Sequence, residues 1–238
     1  MNTLGGVATH TARRRGRHAE GARNDQRLLD AARDVFAAQG TAATVAAIAA
    51  RAGLGIGSLY RRYGGKTELL QHLCLLAMQQ AATAAGEALA EPDADAALTG
   101  YIRACVALRT GALAPLAGTI ETTPQMRELS RQGRRLHQAI VDRAHREGHL
   151  RPDATALDIS WMIEQFARTA PAADASDDDR NVQQRLLAIA IDGLYATGAP
   201  PLPGHPPTPQ HYERRWQFPP APGEENRAAG LLQGPVTT

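Results

Sequence analysis

Between Thr44 and Lys66 the chain reads TVAAIAARAGLGIGSLYRRYGGK, an order of residues that few folds accommodate. Val45, Ile48, Ala49 and Ala52 fall at i, i+3, i+4 and i+7, one face of a helix. Gly53 supplies a left-handed residue that ends this helix, and Leu54 is an apolar plug in the turn. A second short helix carries Leu59 and Tyr63 four apart on its inner side. Ile56, Ser58, Tyr60, Arg61 and Arg62 turn the other way. Two short helices joined by a tight glycine turn form a helix-turn-helix. The outward face mixes hydroxyls, cations and one aliphatic group, which suits phosphates and base edges better than a core.

The preceding residues brace this unit and charge it. A first helix is expected to start near Asn24 or Asp25, either of which can cap it. Leu28, Leu29, Ala32, Val35 and Phe36 are its buried stripe, and Gly40 closes it. Thr44 then stands where the next helix wants an N-cap. Residues 1–23 hold Arg13, Arg14, Arg15, Arg17 and Arg23 with little apolar content, which predicts a disordered basic arm. Such an arm either lies in a neighbouring minor groove or is merely solvated. Residues 1–70 carry 11 basic and 5 acidic side chains, whereas residues 71–238 carry 15 and 19, so the net +2 hides a basic end. That end fits a nucleic-acid-facing surface, although a basic tail that only aids solubility has the same composition.

LLDAARDVFAAQG, TVAAIAARAG, SLYRRY and KTELL occur in this order within residues 25–70. In this order and spacing they resemble the DNA-binding domain of TetR-family (tetracycline-repressor-like) transcriptional regulators. The resemblance implies that Thr44, Tyr60, Arg62 and Lys66 anchor phosphates. It also implies that Gly57 and Ser58, with Ile56 and Arg61, face the bases. Three positions depart from the family pattern: Gly55 replaces a serine cap, Arg62 a histidine, and Gly64-Gly65 a proline-containing turn. Ile56 cannot hydrogen-bond, which leaves it contact with a thymine methyl or plain packing. Lys66 is the only lysine among 26 basic residues. At a helix start its charge opposes the helix dipole, which is easier to understand if it meets a phosphate; pairing with Glu68 is the other reading.

The rest of the chain reads as helices, giving an all-α protein of about nine. A fourth helix is expected over 66–90 and a fifth over about 94–110, followed by a shorter apolar piece, 111–120, broken by Pro115. A long amphipathic helix over 125–147 turns Met126, Leu129, Leu136, Ile140, Val141 and Ala144 inward and ends at Gly148. Two apolar helices come next, 153–170 and 177–197, the second capped by Ser176 with Asp177, Asp178 and Asp179 complementing its dipole. Their apolarity on several sides agrees with the family's four-helix dimer interface, though a large monomer core looks similar. From Ala199 the sequence is proline-rich and expected to be mostly disordered, with Tyr212, Trp216 and Phe218 as anchors if it packs back.

Four units result: a basic arm (1–23), a helix-turn-helix domain (24–70), a helical ligand-binding and dimerisation domain (71–198) and a proline-rich tail (199–238). The resemblance implies a homodimer on a partly palindromic double-stranded operator, released by a small-molecule effector; repression is the family's habit. Trp161, Met162 and Phe166 are the candidate effector-pocket residues. A DNA binder whose C-terminal half only dimerises or binds a partner protein remains open, as does a small-molecule enzyme with a vestigial reader.

Other chemistry is sparse. Cys74 and Cys105 sit among apolar residues and read as small buried hydrophobes. His145 and His149 are four apart, but Gly148 falls between them, so a solvated helix end is preferred over a metal site. There is no phosphate-binding loop, nucleophile elbow or zinc spacing, and no cofactor, metal or catalytic set is expected. No apolar run approaches the ~18–20 residues of a membrane span, and the arginines near the N-terminus precede no apolar segment of a secretion signal. A soluble cytoplasmic protein is expected.

Overall fold

The computed structural model describes residues 5–116, 118–171, 175–195 and 198–214. Among them the regular structure is all helical. Helix α1 spans Gly5–Gln39, α2 Val45–Ala52, α3 Ile56–Tyr63 and α4 Lys66–Ala90. Then come α5 (Ala94–Ala107), α6 (Pro124–Arg146), α7 (Ala156–Arg168), α8 (Asp177–Leu194) and a short α9 (Pro209–Arg214). No helix among the described residues is long and apolar enough to cross a membrane.

The helix-turn-helix forms as its sequence dictates. Thr44 Oγ1 accepts a hydrogen bond from the Ala47 N–H at 3.1 Å, capping α2. Gly53 ends α2 at φ 64°, and the Leu54 N–H returns to the Ala49 carbonyl at 2.9 Å. This is the hydrogen bonding of a left-handed helix stop. Arg27 of α1 adds a donor to the Ala52 carbonyl at 2.5 Å, satisfying one of the acceptors a helix end leaves open.

Two hydrophobic clusters make up the core. The first joins Leu28, Leu29, Val35 and Phe36 of α1 to Ile48, Leu59, Tyr63 and the Leu69–Ala77 stretch of α4. It also takes in Leu113, Leu116, Ile120 and Met126, so the reader's core extends well beyond residue 70. The second gathers Ala84, Ala85 and Ala88 of α4 with α5, Ile140, Val141 and Ala144 of α6, Ile159 and Ile163 of α7, and Leu187, Ile191 and Leu194 of α8. Helix α4 thus passes unbroken through both, a span of roughly 37 Å for its 25 residues.

Several expectations are corrected. Helix α1 begins at Gly5 rather than near Asn24, so residues 5–23, expected to be disordered, continue it. Once the stripe from Leu28 to Phe36 holds a helix in place, propagation through an Ala- and Arg-rich stretch is cheap. Helix α5 ends at Ala107, not near Thr110, because Arg109 takes a left-handed φ of 50°. The chain then forms a 3-10 segment, Thr110–Leu116, in place of a sixth helix. Pro124, expected in a loop, opens α6 in the first turn, where its missing N–H is no loss. Helices α7 and α8 are shorter than expected; Thr155 and Asp158 form a capping box at the start of α7, and Ser176 caps α8.

The proline-rich stretch is also not wholly loose. Arg151 is buried and paired with Asp153 at 2.6 Å, and its guanidinium donates to the Pro200 carbonyl at 2.8 Å. Asp153 accepts the Leu202 N–H at 2.7 Å. The Arg151 hydrogen bond first, and then that N–H, hold the Asp153 carboxyl down to about 2. His211 of α9 brings its ring within 5.6 Å of Trp161. The Tyr212 side chain, Trp216 and Phe218 lie outside the described residues.

Among the described glycines, Gly111 makes the tightest approach to another segment's backbone. A Cβ there would lie 2.8 Å from the Glu164 carbonyl oxygen and 2.9 Å from its Cα, both backbone atoms of α7. Gly111→Ala is therefore expected to push the 3-10 segment off α7 and to destabilise the protein by about 1–3 kcal/mol, as overpacking does. Thermal denaturation checks it; an unchanged Tm would mean that the contact is slack.

Candidate nucleic-acid interface and internal cavity

On α3 the division into two faces is complete. Leu59 and Tyr63 are buried, while Ile56, Gly57, Ser58, Tyr60, Arg61 and Arg62 are exposed. Ile56 and Tyr60 are 41% and 43% exposed, unusual for large apolar side chains with a core so near. Thr44 and Lys66, at the starts of α2 and α4, are exposed too. All eight residues read from the sequence as DNA contacts are thus solvent-facing, on α3 itself or at the helix starts flanking it.

Their local bonding differs. Arg61 donates to Ser58 Oγ at 3.2 Å, one turn away, so the two present a joint hydroxyl and guanidinium group. Arg62 is tied to Asp25 of α1 at 2.8 Å, so the fixed charge that replaces the family's histidine is shared with a carboxylate. Asp25 also accepts the Tyr63 hydroxyl at 2.5 Å, and burial together with that contact pushes the Tyr63 phenol well above its ordinary range. The ring of His72 on α4 lies 5.0 Å from that of Tyr63. Asp25, expected as a helix cap, instead fastens α3 to α1; an acidic residue one turn before the Leu28 stripe was the available signal. Lys66 has no ion-pair partner among the described residues. Glu68 lies beside Gly64, with its carboxylate 2.7 Å from where a Cβ would stand.

Gly57 lies inside α3, where glycine costs a helix about 1 kcal/mol relative to alanine. A Cβ there would meet nothing within 4 Å, and the residue is exposed. The protein's own packing does not require glycine at this position.

A cavity of about 210 Å³ lies where the two clusters meet, walled by α4, α5, α6, α7 and the 3-10 segment. The α4 wall is apolar: Cys74, Ala77, Met78 and Ala81. Burial pushes the thiols of Cys74 and Cys105 up to about 12 and about 11, so both are protonated wall atoms and not nucleophiles. The α6 and α7 walls carry the polarity, with Ser130, Arg134, His137, Ser160 and Glu164. His137 is buried and pushed down to about 4 by desolvation, which keeps it neutral.

Trp161, Met162 and Phe166, the effector-pocket candidates of the sequence, do not line this cavity. Met162 and Phe166 pack against the second cluster, and Trp161 is partly exposed near His211. The cavity uses Ser160, Ile163 and Glu164 of the same helix. His145 and His149 have separate partners: His145 meets the Arg151 carbonyl at 3.2 Å, and His149 meets Asp95 at 3.1 Å.

Comparison with known proteins bears on both halves. The family described as bacterial regulatory proteins, tetR family, matches residues 28–73. The family described as transcriptional regulator SbtR-like, C-terminal domain, matches residues 93–196. No curated protein matches the chain. Among solved structures, the TetR transcription regulatory protein from Mycobacterium vanbaalenii is 24% identical, with a TM-score of 0.50, covering 75% of this chain and 99% of its own. The ketosteroid transcriptional regulator KstR2 of Mycobacterium tuberculosis is 22% identical, with a TM-score of 0.52, covering 72% and 94%. PfmR, a TetR family transcriptional regulator from Thermus thermophilus, is 23% identical at a TM-score of 0.51, covering 70% and 98%. At these identities the solved structures establish a shared fold, and the two family matches establish the lineage of both halves. The chain belongs to the TetR family of DNA-binding transcriptional regulators.

Proposed function

We propose that this protein is a cytoplasmic, homodimeric repressor that leaves a partly palindromic operator when a small molecule enters the cavity. Residues 24–70 act as the reader and residues 71–198 as the regulatory and dimerising body. Thr44, Tyr60 and Lys66 anchor phosphates, joined by Arg62 when Asp25 releases part of its hold. Gly57, Ser58, Arg61 and Ile56 face base edges. Paired α3 helices then enter major grooves about 34–36 Å apart, one helical turn. The dimer forms along α8, where Val182, Leu186 and Ile189 are 55%, 53% and 64% exposed at i, i+4 and i+7. An apolar stripe of that kind marks an interaction surface.

One observation carries the ligand-responsive part. The 3-10 segment Thr110–Leu116 belongs to two places at once: Thr110, Gly111, Leu113 and Ala114 wall the cavity, while Leu113 and Leu116 lie in the reader's core. Arg109, just before it, is ion-paired with Asp34 of α1, and Asp34 also holds Arg51 of α2 at 2.8 Å. A ligand that displaces the segment moves a residue already in a strained conformation and, through Asp34, the first helix of the reading pair.

Four outcomes are expected. Lys66→Ala lowers the slope of log K against log salt for operator binding by about one unit for each phosphate no longer neutralised, about two for a symmetric dimer. Tyr60→Phe weakens binding without changing that slope, because the hydroxyl carries no charge. Fluorescence anisotropy over a salt series checks both, and an unchanged slope in the Lys66 variant removes that residue from the interface. Gly57→Ala is expected to stabilise the fold by about 0.5–1 kcal/mol and yet weaken operator binding, because the added methyl holds the helix off the groove. Arg109→Gly keeps the left-handed backbone but deletes the ion pair. Where an effector weakens wild-type operator binding by a factor of about 5–150, the variant is expected to bind the same effector and respond less. An undiminished response would rule out the Arg109–Asp34 link.

A further inference from the structure

Among the described residues of the reader, two large apolar side chains are open to solvent, Ile56 and Tyr60. Tyr60 ends in a hydroxyl, whereas Ile56 carries no polar atom. Ile56 is the first residue of α3 and belongs to neither hydrophobic cluster. Both of its neighbours in the chain are glycines. A Cβ on Gly57 would meet nothing within 4 Å, and one on Gly55 would meet only Ser58 Oγ at 3.9 Å. Gly55 also leaves α3 without a side-chain cap. The fold has room for a side chain at both sites and uses neither, so the aliphatic branch of Ile56 stands clear.

The first residues of a recognition helix are those that reach base edges in the major groove. An isoleucine there is a stiff prong, because branching at Cβ leaves one strongly preferred χ1 rotamer in a helix. Little freedom is then lost on contact. The side chain can neither donate nor accept a hydrogen bond, so it pairs with neither the O4 acceptor of thymine nor the N4 donor of cytosine. The one group on a major-groove edge that it meets favourably is the methyl at thymine C5. Cytosine presents the same apolar group at the same place once it is methylated at C5.

We propose that Ile56 reads the C5-methyl group of a pyrimidine and not the base that carries it, so that 5-methylcytosine serves as well as thymine at its position in each half-site. This rests on the reading of α3 as the recognition helix and specifies the chemistry that one of its residues recognises. A site with cytosine at that position is weak until the base is methylated. The flanking glycines belong to the same device: without side chains at 55 and 57, nothing beside Ile56 holds its prong away from the base.

The probe is the duplex that the full-length protein enriches from a random pool. It is resynthesised with each half-site pyrimidine in turn as thymine, uracil, cytosine or 5-methylcytosine, paired with the matching purine. Thymine against uracil, and 5-methylcytosine against cytosine, each differ by one methyl with the paired purine unchanged. At one position per half-site, fluorescence anisotropy is expected to show the methylated member of both pairs binding about fourfold tighter, the effect of burying one methyl group, and about fifteenfold tighter when both half-sites carry it. Ile56→Ala, which trims an exposed side chain, is expected to erase both differences. Methyl groups without effect at every position overturn the inference, as does a thymine–uracil difference that 5-methylcytosine and cytosine do not share. Both comparisons need only the wild-type protein, so they decide even if the variant does not fold. Differences of full size in Ile56→Ala assign the methyl contact to another residue and overturn it too. All three outcomes leave α3 as the reader, whereas enrichment of no sequence from the pool overturns the reader and the inference together.

Discussion

At Ala77 the helix from Lys66 to Ala90 leaves one hydrophobic cluster, and at Ala84 it enters the other, with no break between. A helix of this length cannot bend sharply without a proline, a glycine pair or a bulge, and Gly86 is its single glycine. Its first turn, carrying Lys66, and its distal end, packed by Ala84, Ala85 and Ala88, therefore move as one body. The alanines matter physically: small side chains let α5 and α6 approach closely, so displacement of α4 is opposed by dense packing and not by loose side chains. The reader is consequently mounted on a rod whose other half belongs to the regulatory body.

The stretch from Arg109 to Leu116 supplies something a rigid rod cannot, a part with more than one arrangement. A left-handed arginine is uncommon and costs about 1 kcal/mol or more, and it persists here because Asp34 holds the guanidinium and α7 presses on Gly111. Asp34 is 15% exposed and Arg109 12%, so their pairing is less screened than a surface bridge. Small shifts of such a segment are amplified because packed interfaces switch between discrete arrangements. The same logic explains why the segment is 3-10: three residues per turn place Thr110, Leu113 and Leu116 on one line, and that line runs from cavity to reader core.

Local chemistry made much of this legible. Thr44, Gly53, Leu59 and Tyr63 do in the structure what their spacing implied, because caps, left-handed stops and a four-residue stripe are decided by neighbours in sequence. Ser176 is legible for the same reason. The features that were missed depend on residues far apart. Nothing near Arg109 announces that Asp34 will hold it left-handed, and without that α5 reads on to Thr110. Nothing near Leu202 shows that Asp153 will accept its N–H, so the proline-rich stretch reads as loose. Trp161, Met162 and Phe166 are conspicuous for their bulk, yet bulk fills space, and none of them lines the cavity. The residues that leave space, Ala77, Gly111, Gly133 and Ser160, are small, and their collective effect appears only when five elements are assembled. His137 was overlooked because a lone histidine on an amphipathic helix has no local signature; only burial singles it out.

The separation of cavity from reader decides which kind of signal can pass. Along α4, Cys74 lies about 12 Å from Lys66 and Ala81 about 22 Å, at 1.5 Å per residue. The screening length at physiological ionic strength is about 8 Å, and the exposed cations of α3 sit in solvent. A charge gained or removed in the cavity would be felt only faintly at Arg61 or Lys66. A neutral His137 therefore forgoes little in signalling. Communication of the proposed kind would then run by contact: volume added beside Thr110 and Leu113 would be taken up in the Leu113–Leu116 packing and at Arg109, which touch the reader directly. Under the proposed mechanism, the shape of a ligand in the cavity would set how far the reader moves.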